Sequence, residues 1–132
     1  MAIITIEGKA WDALMVQGNA PASNAKMQYG TWGTGAQTEA TVGAATYGNA
    51  FGSFTESGEA RSLGTLSNPV NGTDRLVYTI TATASRTITQ TARTNVLTVG
   101  ASGQLMLEYA AFTGLALNTG DQITFTVDQL FS

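Results

Sequence analysis

The stretch Asp74-Arg75-Leu76-Val77-Tyr78-Thr79-Ile80-Thr81-Ala82-Thr83-Ala84 decides the fold class. Leu76, Tyr78, Ile80, Ala82 and Ala84 fall on one side of an extended chain, and Arg75, Val77, Thr79, Thr81 and Thr83 on the other. Alternation with a period of two fits a strand with one buried face and cannot be carried by an amphipathic helix. Threonine suits the wet face, because its branched Cβ packs on a pleat while its hydroxyl stays hydrated.

Working outward, the same signal recurs. Asn71-Gly72 is a two-residue hairpin signal, since both positions tolerate positive φ. Thr87 to Leu97 and Gln104 to Phe112 are two further strands, separated by Gly100-Ala101-Ser102-Gly103. Asn118-Thr119-Gly120-Asp121 makes the last turn, and Gln122 to Phe131 closes the chain with Ile123, Phe125 and Val127 opposite Thr124, Thr126 and Asp128. Upstream, Glu59 to Leu66, Lys26 to Trp32 and Ala2 to Ile6 read as strands. Lys9 to Gln17 reads as one short helix with Trp11, Leu14 and Met15 on one side, ended by Gly18-Asn19-Ala20-Pro21. The expected architecture is mostly β, an antiparallel sandwich or barrel with one short N-terminal helix, in a single domain over residues 1–132.

Residues 33–58 have no sustained period. Six glycines (Gly33, Gly35, Gly43, Gly48, Gly52, Gly58) surround Tyr47, Phe51 and Phe54. A long loop in a small domain usually has a function or is disordered, and three rings argue against disorder. Two readings stay open: the rings cap the domain's own core, or the segment is an arm laid on a neighbouring copy.

Composition narrows the function. Charged residues are only 11% of the chain, against about 25% in a typical soluble domain. A surface of Thr, Ser, Gly, Ala, Asn and Gln is easily desolvated, which suits subunit contacts. The net charge is −3, and no two of the six Lys and Arg residues are neighbours, so no basic stripe tracks a phosphate backbone and no direct nucleic-acid partner is expected. With no Cys and no His, disulfides, thiolate or imidazole metal sites and histidine-based catalysis are excluded. Met1 to Glu7 lacks a basic region followed by a long apolar run, so no signal peptide is expected. No run approaches the roughly 18 apolar residues of a membrane helix.

The remaining motifs read as structure. Gly30-Thr31-Trp32-Gly33-Thr34-Gly35 lacks the following Lys and the helix of a phosphate loop. Glu56 and Glu59 could form a carboxylate pair only across a cleft, and solvated loop charges are the expectation. Asp74 and Asp121 supply one carboxylate per turn, too few for a hard cation, and Asn71-Gly72-Thr73 matches a glycosylation acceptor without a visible secretory route. No catalytic, cofactor-binding or metal-binding residue is expected, and no cofactor.

The order of these elements resembles a family of small tailed-bacteriophage structural proteins, the capsid decoration, head-fibre and tail-fibre-like proteins. Trp32-Gly33-Thr34-Gly35 takes the place of the family's Gly-Thr-Gly turn, Glu59-Ala60-Arg61 its acidic/Arg segment, and Leu76 to Ala84 its Thr-rich strand. Ile88-Thr89-Gln90 stands for an Ile-Thr-Glu element, with Gln in place of Glu. Ser102-Gly103-Gln104-Leu105-Met106-Leu107 and Leu117-Asn118-Thr119-Gly120-Asp121-Gln122-Ile123 complete the outline. Arg93-Thr94 departs from the family's Gly-Leu.

The resemblance implies a virion protein, made in the host cytoplasm. It does not imply which part of the virion; the low charge, the short chain and the aromatic Gly-rich segment make the leading expectation a capsid decoration (cement) protein, binding the phage major capsid protein and bridging capsomers as a homo-oligomer, a trimer being expected. The alternative is a tail or fibre module contacting the host surface with a glycan as its ligand. The expected interface residues are Trp32, Tyr47, Phe51 and Phe54.

Overall fold

A computed structural model of the chain describes residues 3–5, 8–10, 27–36, 38–43, 50–100 and 103–130. These form two antiparallel sheets. Sheet A has the strand order β1 (Ile3–Ile4), β7 (Met106–Leu117), β6 (Arg86–Thr94), β2 (Tyr29–Gly33), β3 (Ser62–Leu63). Sheet B has the order β4 (Thr65–Ser67), β5 (Thr73–Thr81), β8 (Gln122–Leu130). The expected mostly β, sandwich-like class is what forms. Residues 8–10 are helical; the remainder of the expected helix, residues 11–17, lies outside the described residues.

The alternation of the deciding stretch does what its period requires. Leu76, Tyr78, Ile80 and Ala82 are buried, and they meet Trp32, Ile88, Leu117 and Val127 in the core between the sheets, flanked by Phe112, Ile123 and Phe125. Tyr78 stacks on Phe125 at a centroid distance of 5.2 Å. The opposite face of sheet B is a polar ladder. Arg75 grips Asp128 through two hydrogen bonds (2.6 and 2.7 Å), and the hydroxyls of Thr79 and Thr124 share one at 2.7 Å. Such cross-strand pairs each contribute roughly 0.2–1 kcal/mol.

The segment expected as one strand from Glu59 to Leu66 is two. β3 pairs with β2 in sheet A and β4 with β5 in sheet B, so the chain crosses between the layers at Gly64. A Cβ there would lie 2.4 Å from the Leu76 side chain and 2.8 Å from the Val77 carbonyl; only a residue without one lets the crossing lie this close. Asn71-Gly72 does form a turn, with the Thr73 N–H donating to the Val70 carbonyl (3.1 Å) and Gly72 at φ +80°. The loop is wider than a two-residue hairpin, because Ser67 pairs with Arg75.

Sheet A is covered on both faces. Ile88 of β6 points into the inter-sheet core, but Ala92, four residues on, packs on the other face with Val42, Ala50, Phe54, Met106 and Tyr109. A register irregularity between Ile88 and Gln90 turns the strand over, as bulges do. The second face is covered by α1 (Glu39–Gly43), whose start Thr38 caps by accepting the Thr41 N–H (3.2 Å), and by a 3-10 turn, Ala50–Ser53. The described part of the Gly-rich segment is therefore a third layer on its own domain.

Candidate interaction surface and the ion pairs beneath it

All four arginines are engaged in ion pairs, and three of them tie separate parts of the fold together. Arg93, only 2% exposed, donates to Asp74 of sheet B (2.5 Å), to Glu108 of sheet A (3.2 Å) and to the Met27 carbonyl (2.7 Å). It fastens the two sheets at one end. Arg61 binds Glu56 through two contacts (2.9 and 3.0 Å), the carbonyls of Val96 (3.1 Å) and Thr98 (3.4 Å), and Gln104 (2.9 Å). Its guanidinium lies 4.5 Å from the centre of the Phe51 ring, so it joins the Gly-rich layer to the β6–β7 loop.

Arg86 pairs with Glu59 at 3.0 Å. Glu59 also accepts from Trp32 Nε1 (2.9 Å), from the Thr83 N–H (3.2 Å) and hydroxyl (2.9 Å), and from Ser57. Burial by itself would raise this carboxyl's pKa. The donors from Ser57, Trp32, Arg86 and Thr83 outweigh it and hold the group well below the usual carboxylate range. Glu59 thus braces β2 against the β5–β6 crossing.

This corrects the expectation for Glu56 and Glu59. Neither is a solvated loop charge: Glu59 is 5% exposed, and the Glu56 carboxylate is held by Arg61 and by the Thr31 hydroxyl at 2.6 Å. Their partners lie up to 27 residues away in sequence, which a local reading of two nearby acids does not reveal. The turn acids are occupied as well, Asp74 by Arg93 and Asp121 by the Asn118 N–H (2.8 Å). Gly30 to Gly33, in the phosphate-loop-like stretch, belong to β2 and pair with β6, so their main-chain groups face strand neighbours rather than a cradle.

The expected interface residues are placed differently from one another. Trp32 is 1% exposed and belongs to the inter-sheet core. Phe54 is 8% exposed and meets Phe51 and Tyr109 edge-on at 5.8 and 6.0 Å. Phe51 is half-buried, and Tyr47 lies outside the described residues. The described rings cap their own domain, because the outer face of sheet A offers them Ala92, Met106 and Tyr109 to cover. Phe54→Ala is accordingly expected to cost the isolated chain about 3 kcal/mol, read as a lower denaturation midpoint. An unchanged midpoint would show that the ring serves a contact outside the chain.

What the surface exposes instead is an apolar rim. Leu63 and Leu66 flank the Gly64 crossing, Val70 sits in the turn that follows, and Leu97 and Val99 stand on the loop that Arg61 holds beside β3. Leu63 and Val70 are both 63% exposed. Sequence periodicity misses this rim, since each residue lies beside a turn or crossing rather than on an alternating face.

No protein-family model matches the chain, and no curated protein or solved structure matches it.

Proposed function

We propose that the chain is a non-enzymatic structural protein of a tailed-phage virion, a capsid decoration protein that seats on the shell and bridges capsomers. The observation that carries this reading is where the charge goes. The arginines and their carboxylate partners brace the interior and one face of sheet B, which leaves a threonine-rich surface and an apolar rim. Both shed water at less cost than ionised groups would, once the hydroxyls find partners across the contact, and suit a permanent contact. The cross-bracing also makes a stiff body, as a clamp on a shell requires.

The tail or fibre alternative asked for exposed rings to stack on sugars. Phe54 is buried and Phe51 is half-covered by Arg61, so the described residues favour the decoration reading. A hydrolase would need a free acid, and Glu56 and Glu59 are both neutralised by arginine.

Purified protein mixed with shells of the capsid protein encoded in the same genome is expected to sediment with them. Leu63→Asp with Leu97→Asp should weaken that binding at least tenfold, while stability changes by no more than about 0.5 kcal/mol, as for exposed positions. Wild-type protein that stays in the supernatant would overturn the proposal.

A further inference from the structure

The described edges of the two sheets are unequal. β1 and β3 have two residues each and β4 has three. The part of β7 beyond its pairing with β1 is interrupted where Ile88 and Gln90 face Leu115 and Ala111, which spoils it as a template. β8 is different. It is nine residues long and regular, paired along its whole length with β5, and among the described residues no strand lies on its other side. Neither Lys nor Pro guards it, and its one carboxylate, Asp128, is neutralised by Arg75. Natural proteins usually blunt such an edge.

The backbone phase of β8 can be read from its inner ladder. The Ala82 N–H donates to the Asp121 carbonyl (2.8 Å), and Ile80↔Ile123, Tyr78↔Phe125 and Leu76↔Val127 follow at two-residue steps. In an antiparallel ladder this turns the main-chain groups of Ile123, Phe125 and Val127 toward β5 and those of Thr124, Thr126 and Asp128 outward. Beside that outer edge an open cleft of about 290 Å³ runs between the sheets, lined by Ala110, Ala111 and Phe112 of β7 and by Phe125 to Asp128 of β8.

We infer that β8 is the contact between two copies of this chain, paired antiparallel about a two-fold axis at Thr126. The outward groups of Thr124, Thr126 and Asp128 then meet those of Asp128, Thr126 and Thr124 of the second copy, forming about six main-chain hydrogen bonds. Each Asp128 comes opposite a threonine and not another carboxylate, so no like charges are paired directly. Phe125 of one copy meets Val127 of the other over the cleft mouth. The contact is about 30 Å long and about two layers deep, roughly 600 Å² per copy, which reaches the lower bound for a stable interface. A strand shorter than β8 would not reach it. An isologous contact of this kind gives a dimer, in place of the expected trimer. It lies on the side away from the apolar rim, which follows β3 and β4, and so leaves the rim open. The inference goes beyond the virion reading and stands independently of it.

Sedimentation equilibrium of the full chain tests it, together with Thr126→Pro and Thr126→Lys. Proline removes only an outward N–H, which an edge strand tolerates, and two lysines would face each other across the axis. The wild type is expected to be a dimer in which the Thr124 and Asp128 amides exchange about tenfold or more slowly than in the variants. Both variants are expected to be folded monomers. If the proline variant fails to fold, the lysine variant decides. A monomeric wild type, or a dimer that survives Thr126→Lys, overturns the inference. A dimer that ignores shells would sink the decoration proposal alone, and a monomer that binds them would sink this inference alone.

Discussion

Glu59→Ala is expected to destabilise the protein by about 3–5 kcal/mol, the range for breaking a buried charge pair by deleting one partner. The loss is large because four residues point donors at this one carboxylate. Removing it leaves the Trp32 indole N–H and the Thr83 hydroxyl without their acceptor and Arg86 without its counter-ion. Against the 5–15 kcal/mol typical of a whole domain, this is a substantial fraction.

The same carboxylate makes the protein acid-sensitive, and the sign is fixed by its environment. Its folded pKa lies below the ordinary 4.5, so the unfolded chain takes up a proton near that pH while the folded one does not. The stabilisation is complete above about pH 5 and declines as pH falls below it. Thermal melts between pH 7 and pH 3 should show a falling midpoint in the wild type. Glu59→Gln should start lower and fall less steeply. Parallel slopes for the two proteins would show that Glu59 is not the group responsible.

Trp32→Ala is expected to cost about 4–5 kcal/mol, the upper part of the range for burying and then deleting an aromatic. The indole is enclosed by Leu76, Tyr78, Ile88 and Val127 on two sheets that cannot collapse onto the space, and its N–H is one of the donors to Glu59. Trp32→Phe should recover roughly half of the loss. Denaturant titration reads both. A Trp32→Ala protein with a wild-type midpoint but impaired assembly would return Trp32 to the role of contact residue.

The strands of this fold were legible in the sequence wherever one face is dry and the other wet. Leu76, Tyr78 and Ile80, and Ile123, Phe125 and Val127, carry their burial in their spacing, and Asn71-Gly72 marks its own turn. The crossing at Gly64 was not legible. Ser62 to Ser67 is extended on both sides of it, and only the approach of Leu76 reveals that the chain changes sheets. The face change in β6 is invisible for a similar reason, because it depends on how Ile88 and Gln90 register against β7.

The surface was harder to read than the core. Aromatic residues in a glycine-rich stretch look alike whether they cover their own sheet or a neighbour's, and the deciding fact is that sheet A has a second apolar face at Ala92, Met106 and Tyr109. Most of the ion pairs were missed because Arg75 to Asp128, Arg86 to Glu59 and Arg93 to Asp74 join residues 19 to 53 positions apart. The low charge of the composition was legible, but not that the arginines hold much of what charge there is in internal pairs. Among the described residues threonine is accordingly the commonest exposed side chain, with few charges beside it.

The virion reading is tested most directly by counting this chain in particles purified from cells that carry its gene, by quantitative gel or mass spectrometry against the major capsid protein. A decoration protein is expected on the order of hundreds of copies per particle, in a fixed ratio set by the shell's symmetry. A few to a few dozen copies would move it to the tail, and particles without it would contradict the account.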